Sequence, residues 1–167
     1  MFYSCSSITF LNLSNIDTSK VTDMSQMFKE CSQLISLDLK SFDTSNINNM
    51  FAMFHRCYSL KSLNISNFYT PNVTSIQSMF SELKNLASLD ISNFDTSKVR
   101  SMGWMFNNCK QIKEININNF IFTSVTYMFR MFGYCEKLIS LNLSNSNFSL
   151  VTNMDQMFYY CKKLIVK

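Results

Sequence analysis

The chain has 167 residues, enough for one ordinary domain, and 47% of them are hydrophobic. Its 15 basic and 11 acidic residues leave a net charge of +4, an imbalance too mild to indicate a nucleic-acid partner. No stretch approaches the roughly 18 consecutive apolar residues of a membrane span, so we expect no transmembrane segment. Because 16 phenylalanines and 12 methionines stand beside only 2 glycines, one short pattern has been copied many times.

One unit is repeated along the whole chain, and the dipeptide Met-Phe marks it every 26 residues without an insertion or deletion. Its copies are Met1-Phe2, Met27-Phe28, Met53-Phe54, Met79-Phe80, Met105-Phe106, Met131-Phe132 and Met157-Phe158. All 12 methionines fall at two positions of this period, and all 6 cysteines fall at one. The period predicts a single tandem array over residues 1–167, with rungs 1–26, 27–52, 53–78, 79–104, 105–130, 131–156 and a partial rung 157–167.

Each unit contains a short strand with one buried face, as the segment that starts at Leu34 illustrates. In Leu34-x-x-Leu37-x-Leu39 the apolar residues come to alternate with polar ones, which is the two-residue period of a half-buried strand. The following Asp43-Thr44-Ser45 has the residue types of a turn. We therefore expect a strand and then a turn in every rung.

An apolar stripe after the turn predicts a short helix. Ile47, Met50, Met53-Phe54 and Cys57 recur at steps of three to four residues, the spacing of one buried helix face. Residues suited to capping the helix start share one position in five rungs: Thr22, Asn48, Thr74, Thr126 and Thr152. Helical crossovers join parallel strands with right-handed connections. The predicted fold class is therefore α/β: a right-handed solenoid of about six rungs, with short parallel strands on its concave face and short helices on its convex face.

The repeat resembles a known family. Leu34-x-x-Leu37-x-Leu39 is similar to the leucine-rich-repeat signature, and its continuation through Asp43-Thr44-Ser45 to Met53-Phe54-x-x-Cys57-x-x-Leu60 resembles the BspA-like leucine-rich-repeat surface proteins, as in mycoplasma-type lipoproteins and protist surface proteins. The resemblance covers the whole chain and implies surface display with adhesion or host-protein binding. The unit departs from ordinary leucine-rich repeats at the asparagine-ladder slot, which holds Phe42, Phe68, Phe94 and Phe120. The backbone groups of this loop must therefore be satisfied in another way.

The cysteines offer an alternative, chemical interpretation of the repeat. Stacked rungs would place neighbouring cysteines about 4.8 Å apart, which permits disulfides. They form two runs of three, however, so neighbour pairing would leave one thiol over in each run, and Leu83 replaces one without compensation. No Cys-x-x-Cys motif exists, and no cysteine has a histidine beside it. We favour a reduced, buried column of cysteines.

Catalytic and cofactor sites are not predicted. Acidic residues such as Asp38 and Asp90 are dispersed, and no second carboxylate, histidine or serine recurs in a fixed relation to them. The methionine stripe has helical spacing and is coupled to phenylalanine and cysteine, which favours a role in the core over a metal site. We expect no enzymatic activity, no catalytic or metal-binding residue and no cofactor.

The polar column of the strand face is the first candidate binding surface, because solenoids commonly bind partners on the concave strand face. It consists of Asn12, Asp38, Asn64, Asp90, Asn116 and Asn142. The side chains are short and polar, without the Tyr, Trp and Arg residues typical of strong binding sites. A merely soluble face is therefore an equal alternative.

Aromatic residues at positions where the predicted helices face solvent form the second candidate. They are Phe51, Trp104, Tyr127, Phe129, Tyr134, Tyr159 and Tyr160, most of them in the last three rungs, so we expect them to cluster. Such a cluster predicts a lateral contact with another domain or protomer. Drift of the repeat, with each ring lying over its own rung, is the alternative.

The expected function is a non-catalytic protein-binding or adhesion module, at the cell surface or outside the cell as the resemblance implies. A cytoplasmic scaffold, or a structural spacer without a specific ligand, is the alternative. The expected partner is a protein and not a nucleic acid, since no stacking aromatics are interleaved with the loop residues Lys84, Lys110, Lys137, Lys162 and Lys163. Neither end carries a polar capping unit, which predicts either a piece of a longer array or end-to-end or lateral self-association.

Overall fold

Short parallel strands stack one rung apart in the computed structural model, which describes residues 1–144 and 146–166. The strands are β1 (Ser36–Asp38), β2 (Ser62–Asn64), β3 (Ser140–Leu141) and β4 (Ile165–Val166). β1 pairs in parallel with β2, and β3 pairs in parallel with β4. This confirms the predicted parallel strands and the repetitive fold. Asn145 and Lys167, which belong to the predicted array, lie outside the described residues.

The predicted helices are wrong, because residues 1–144 and 146–166 contain strands and turns but no helix. Between Met24 and Cys31 the backbone forms consecutive tight turns, in which Met27 N–H donates to the Met24 carbonyl and Cys31 N–H to the Phe28 carbonyl, at 3.3 and 3.1 Å. Lys29 N–H also bonds locally, to the Gln26 carbonyl at 3.1 Å, whereas the alternating amides donate to the next rung, as Phe28 N–H does to the Met53 carbonyl at 2.9 Å. The fold is therefore solenoid-like but not α/β.

Two left-handed residues in each rung exclude the helix. Gln26 has φ 56° and Glu30 has φ 64°, and the equivalent residues of the other rungs are also positive. A left-handed residue ends a right-handed helix and turns the following amide outward. Hydrogen-bonded turns of this kind bring every third or fourth side chain to the same side, as a helix does. The apolar stripe was therefore compatible with both structures.

The predicted helix caps are wrong for the same reason. Thr74 Oγ1 donates to the Asn48 carbonyl at 3.2 Å, and Thr152 Oγ1 donates to the Thr126 carbonyl at 3.0 Å. These hydroxyls therefore link a rung to the one before it.

Columns of identical side chains fill the interior. The phenylalanines of the Met-Phe pairs stack from Phe2 to Phe158 with neighbouring ring centroids 5.4–5.9 Å apart. Most of the methionines are buried beside them, which confirms their predicted place in the core. Burial of Leu37 and Leu39 against exposure of Asp38 likewise confirms the predicted faces of the strand.

A ladder of buried threonines replaces the asparagine ladder. Thr70 Oγ1 accepts the Asp95 N–H and donates to the Asp95 carbonyl, both at 2.9 Å. Thr44 makes the same two bonds to Tyr69, at 3.0 and 2.8 Å. The threonines of this column are Thr18, Thr44, Thr70 and Thr96. Each satisfies both backbone groups of one residue in the following rung, which explains how phenylalanine can occupy the former asparagine slot.

Candidate functional site

The polar column on the strand face has a structural role, because its side chains form the turns that follow the strands. Asp38 Oδ1 accepts the backbone N–H of Lys40 at 2.9 Å, two residues further along the chain. The same bond, at 2.9–3.4 Å, is made by every member of the column: Asn12, Asp38, Asn64, Asp90, Asn116 and Asn142. Such bonds form Asx turns, which bend the chain where the strand ends. The need for this turn accounts for the recurrence of Asn and Asp without any ligand.

Within the column the carboxylate of Asp90 is held in its charged form. Hydrogen bonds from the Ser92 side chain and backbone lower the pKa of Asp90. Asn64 Nδ2 donates to Asp38 Oδ1 at 3.0 Å, so neighbouring rungs are also joined side chain to side chain.

The cysteine column is free of disulfides. All six thiols are unpaired, and the Sγ atom of Cys57 donates to the Phe28 carbonyl at 3.0 Å. The same bond to the preceding rung, at 2.9–3.1 Å, is made by Cys31, Cys57, Cys109, Cys135 and Cys161. Burial raises the pKa of Cys31 to about 11 and that of Cys109 to about 12, so these thiols are protonated and unreactive at neutral pH. Among the described residues no group of three His, Cys, Asp or Glu side chains is placed to hold a metal ion.

The predicted aromatic residues of the last rungs do come together, in two groups of three. In the first group, the Trp104 ring centroid lies 5.7 Å from that of Tyr127 and 5.0 Å from that of Phe129. The planes meet at 51° and 62°, so ring edges pack against ring faces. All three rings are partly exposed.

The second group is Tyr134, Tyr159 and Tyr160. The Tyr134 centroid lies 5.2 Å from that of Tyr159 and 5.5 Å from that of Tyr160. Tyr159 and Tyr160 are 42% and 53% exposed, so this group opens to solvent.

Arg130 joins the two groups into one surface. Its guanidinium carbon lies 5.3 Å from the Phe129 centroid and 5.5 Å from the Tyr159 centroid, which is cation–π distance for both rings. We call the surface formed by Trp104, Tyr127, Phe129, Arg130, Tyr134, Tyr159 and Tyr160 the aromatic face. Phe51, three rungs before Phe129, stands apart from it.

The basic loop residues are interrupted by acidic ones. Glu136 pairs with Lys110 at 3.0 Å and with Lys162 at 3.2 Å. Hydrogen bonds from Lys110 and Lys162 lower the pKa of Glu136. In an earlier rung, Glu82 pairs with Lys84 at 3.3 Å.

The sequence matches one protein family along nearly its full length. The model of the family described as "Mycoplasma protein of unknown function, DUF285" matches residues 1–88 and 61–166. The chain belongs to the DUF285 family. A comparison with curated proteins finds none that matches this DUF285 chain.

Sequence reasoning missed the residues that support the aromatic face of the DUF285 chain. A Cβ atom on Gly103 would lie 2.7 Å from Tyr127 Cδ1 and closer still to Cε1, so only glycine leaves room for this ring. A Cβ atom on Gly133 would lie 2.8 Å from Asn107 Oδ1. These are the only 2 glycines of the chain, and neither has a positive φ. The equivalent positions of the other rungs hold no glycine, so the two glycines themselves could have indicated that these rungs differ from the rest.

Bulky side chains also occupy left-handed positions of the aromatic face. Trp104, Tyr134 and Tyr160 have φ values of 54°, 58° and 60°. Glycine or asparagine adopts this conformation at lower cost, whereas a large ring is strained there. The DUF285 chain therefore presents these rings at positions where backbone energy alone would favour smaller residues.

Within residues 1–144 and 146–166, no helix has the length and apolar character needed to cross a membrane.

Proposed function

We propose that this DUF285 chain is a non-catalytic protein-binding module, and that the aromatic face is its binding surface. Tryptophan, tyrosine and arginine are the residues that most often dominate the energy of protein interfaces. The aromatic face gathers all three types on neighbouring rungs, in exposed or partly exposed positions that the other rungs fill mostly with polar or small residues. This departure from the repeat is the observation that carries the proposal.

The finer assignment, to BspA-like leucine-rich repeats of a surface protein with an adhesive role, is part of the same proposal. It is supported by the buried Leu37 of a short parallel strand, by the buried Leu39 that follows this strand, and by a polar ladder inside the rung. The cell surface or the extracellular space is the proposed location, and a partner protein is the proposed ligand. The strand face is the weaker binding surface, because the Asx turns already account for its polar column.

A selection from random peptides displayed on phage tests the binding role. We expect peptides to be enriched on the wild-type chain and lost on the double variant Trp104→Ser/Phe129→Ser, because the apolar centre of the aromatic face is then removed. Phe51→Ser is the matched control, since Phe51 occupies the position equivalent to Phe129 outside the aromatic face, and it should select the same peptides. Thermal unfolding of each variant checks that it is folded. No enrichment on the wild-type chain, or equal enrichment on the double variant, would refute the proposal.

A further inference from the structure

Arg130 is the charged centre of the aromatic face, and it is fixed in place without an acidic partner. Two rings flank its guanidinium group, and its Nε atom donates to Gln156 Oε1 at 2.6 Å. None of the ion pairs within residues 1–144 and 146–166 includes it. Arg56, by contrast, pairs with Glu30 at 3.3 Å. The terminal nitrogens of Arg130 therefore remain as oriented donors of positive charge.

The surroundings of Arg130 add to the positive charge. Lys110 and Lys162 share the single carboxylate of Glu136, and the Lys162 ammonium also lies 5.2 Å from the Tyr160 centroid. Asp155, which lies in the adjacent rung, is exposed and accepts the Arg130 backbone N–H through its carbonyl, at 3.0 Å. Cations thus outnumber acids along this side of the last rungs, which favours an anionic ligand.

The arrangement of the rings favours a polypeptide over a nucleic acid. Bases stack on open, parallel ring faces. Here Trp104 meets Phe129 at 62° and Tyr134 meets Tyr159 at 82°, while Tyr127 lies at 21° to Phe129 and Tyr134 at 29° to Tyr160. Each ring therefore has another ring of the face packed against it. The spaces between tilted rings suit branched apolar side chains better than planar bases.

We propose that the aromatic face binds an acidic, apolar segment of a partner protein, with a carboxylate of the segment paired to Arg130. Its apolar side chains pack on Trp104 and Phe129. The guanidinium offers a carboxylate two parallel N–H donors, and the flanking rings reduce its exposure to water. This inference rests on the proposed binding function and adds the chemistry of the partner.

The composition of the selected peptides tests this partner chemistry. On the wild-type chain we expect enrichment of Asp and Glu together with apolar residues. On Arg130→Glu the preference should reverse toward Lys and Arg, because the central charge is reversed. Lys20→Glu, which makes the same change of net charge at an exposed position of the first rung, should select the wild-type peptides. Two results would overturn this inference and leave the binding function standing. The peptides that depend on the aromatic face could show no enrichment of Asp and Glu, or that enrichment could be unchanged by Arg130→Glu.

An affinity measurement gives a second readout that does not depend on reversing the charge. A selected acidic peptide, followed by fluorescence anisotropy, should bind Arg130→Gln at least about 10-fold more weakly, since a hydrogen-bonded charge contact of this kind is lost. Arg56→Gln should bind it unchanged. An unchanged affinity of Arg130→Gln would overturn the inference. Tighter binding of a single-stranded oligonucleotide than of the peptide, lost in Arg130→Gln, would reassign the surface to nucleic acid.

Discussion

Single buried hydroxyl groups satisfy the backbone in the interior of the rungs. Each threonine of the ladder bonds both the N–H and the carbonyl of one residue in the next rung, so no water is needed there. A buried backbone group without a partner is costly, and a threonine therefore has a larger effect on stability than its size suggests. The fifth and sixth rungs depart from this rule, since Phe122 and Phe148 occupy their threonine positions and pack on each other with centroids 5.0 Å apart.

The exchange Thr70→Val tests the threonine ladder. Valine has nearly the same shape but leaves the Asp95 N–H and carbonyl unpaired, so we expect the free energy of unfolding to fall by roughly 1–3 kcal/mol. Thr74→Val is the control, because Thr74 is exposed and its hydroxyl makes only one bond, to the Asn48 carbonyl. Urea unfolding measures both, and equal losses would contradict the role assigned to Thr70.

The cysteine column predicts a loss of stability at alkaline pH. Burial raises the pKa of Cys109 to about 12, whereas an unfolded thiol titrates near 8.5. Below the unfolded pKa both states are protonated and the contribution of the thiol is complete. As the pH rises toward the folded pKa, the unfolded chain releases protons first and the stability falls.

Cys109→Ala measures this contribution. Between about pH 8 and about pH 10.5 the variant should lose about 2.5 kcal/mol less stability than the wild-type chain, whatever its loss at neutral pH. Urea unfolding at both pH values gives the difference. An identical pH dependence in the two proteins would show that Cys109 does not titrate on unfolding.

Among the elements, the consecutive tight turns between Met24 and Cys31, with their equivalents in the other rungs, determine the character of this fold. We call each pair the double turn. It alternates amides that bond within the rung with amides that bond to the next one, as Lys29 and Phe28 do. The turn therefore contributes both local rigidity and contact between rungs. Its outward side chains can change without disturbing the core, which allows the aromatic face to be built on an ordinary array.

Gly103→Ala tests how closely the aromatic face depends on the turn beneath it. The added methyl group cannot coexist with the Tyr127 ring, so we expect Tyr127 to move away from Trp104. Trp104 is the only tryptophan, and its fluorescence emission should shift to longer wavelength as its exposure increases. Ser25→Ala is the control, because Ser25 occupies the equivalent position in the first rung, away from Tyr127 and Trp104. An unchanged emission of Gly103→Ala would contradict this arrangement.

At the scale of the whole molecule, stability is shared between neighbouring rungs. The stacked rings give each interior phenylalanine two ring neighbours, as Phe80 has in Phe54 and Phe106 at 5.8 and 5.5 Å. Backbone bonds follow the same pattern from rung to rung. The stability of such an array is approximately a sum of terms for rungs and for the interfaces between them.

Two alanine substitutions measure how much neighbouring rungs contribute to each other's stability. Phe80→Ala should lower the free energy of unfolding by about 3–5 kcal/mol, because a fully buried ring is removed between two others. Phe2→Ala should cost less than half as much, since Phe2 is half-buried and stacks on Phe28 alone. Urea unfolding compares them, and a similar cost for both would contradict coupling between nearest neighbours.

The sequence by itself determined the period, the buried columns and the parallel strands. A pattern repeated without a phase slip places like residues one above another, so Leu37 and Leu63 or Cys31 and Cys57 had to share a column. It also indicated the gathering of Trp104 and its aromatic neighbours, because their spacing across the last rungs follows from the same period.

Only the tertiary structure decided between helix and double turn, and only it revealed what completes the aromatic face. Apolar spacing of three to four residues fits both backbones, and the choice depends on amides that bond 25 residues further along the chain, as Phe28 does to Met53. The threonine ladder and the Asx turns also depend on backbone geometry that residue type does not specify. Arg130 meets Tyr159 across a rung boundary, and such a contact is fixed by how the rungs pack.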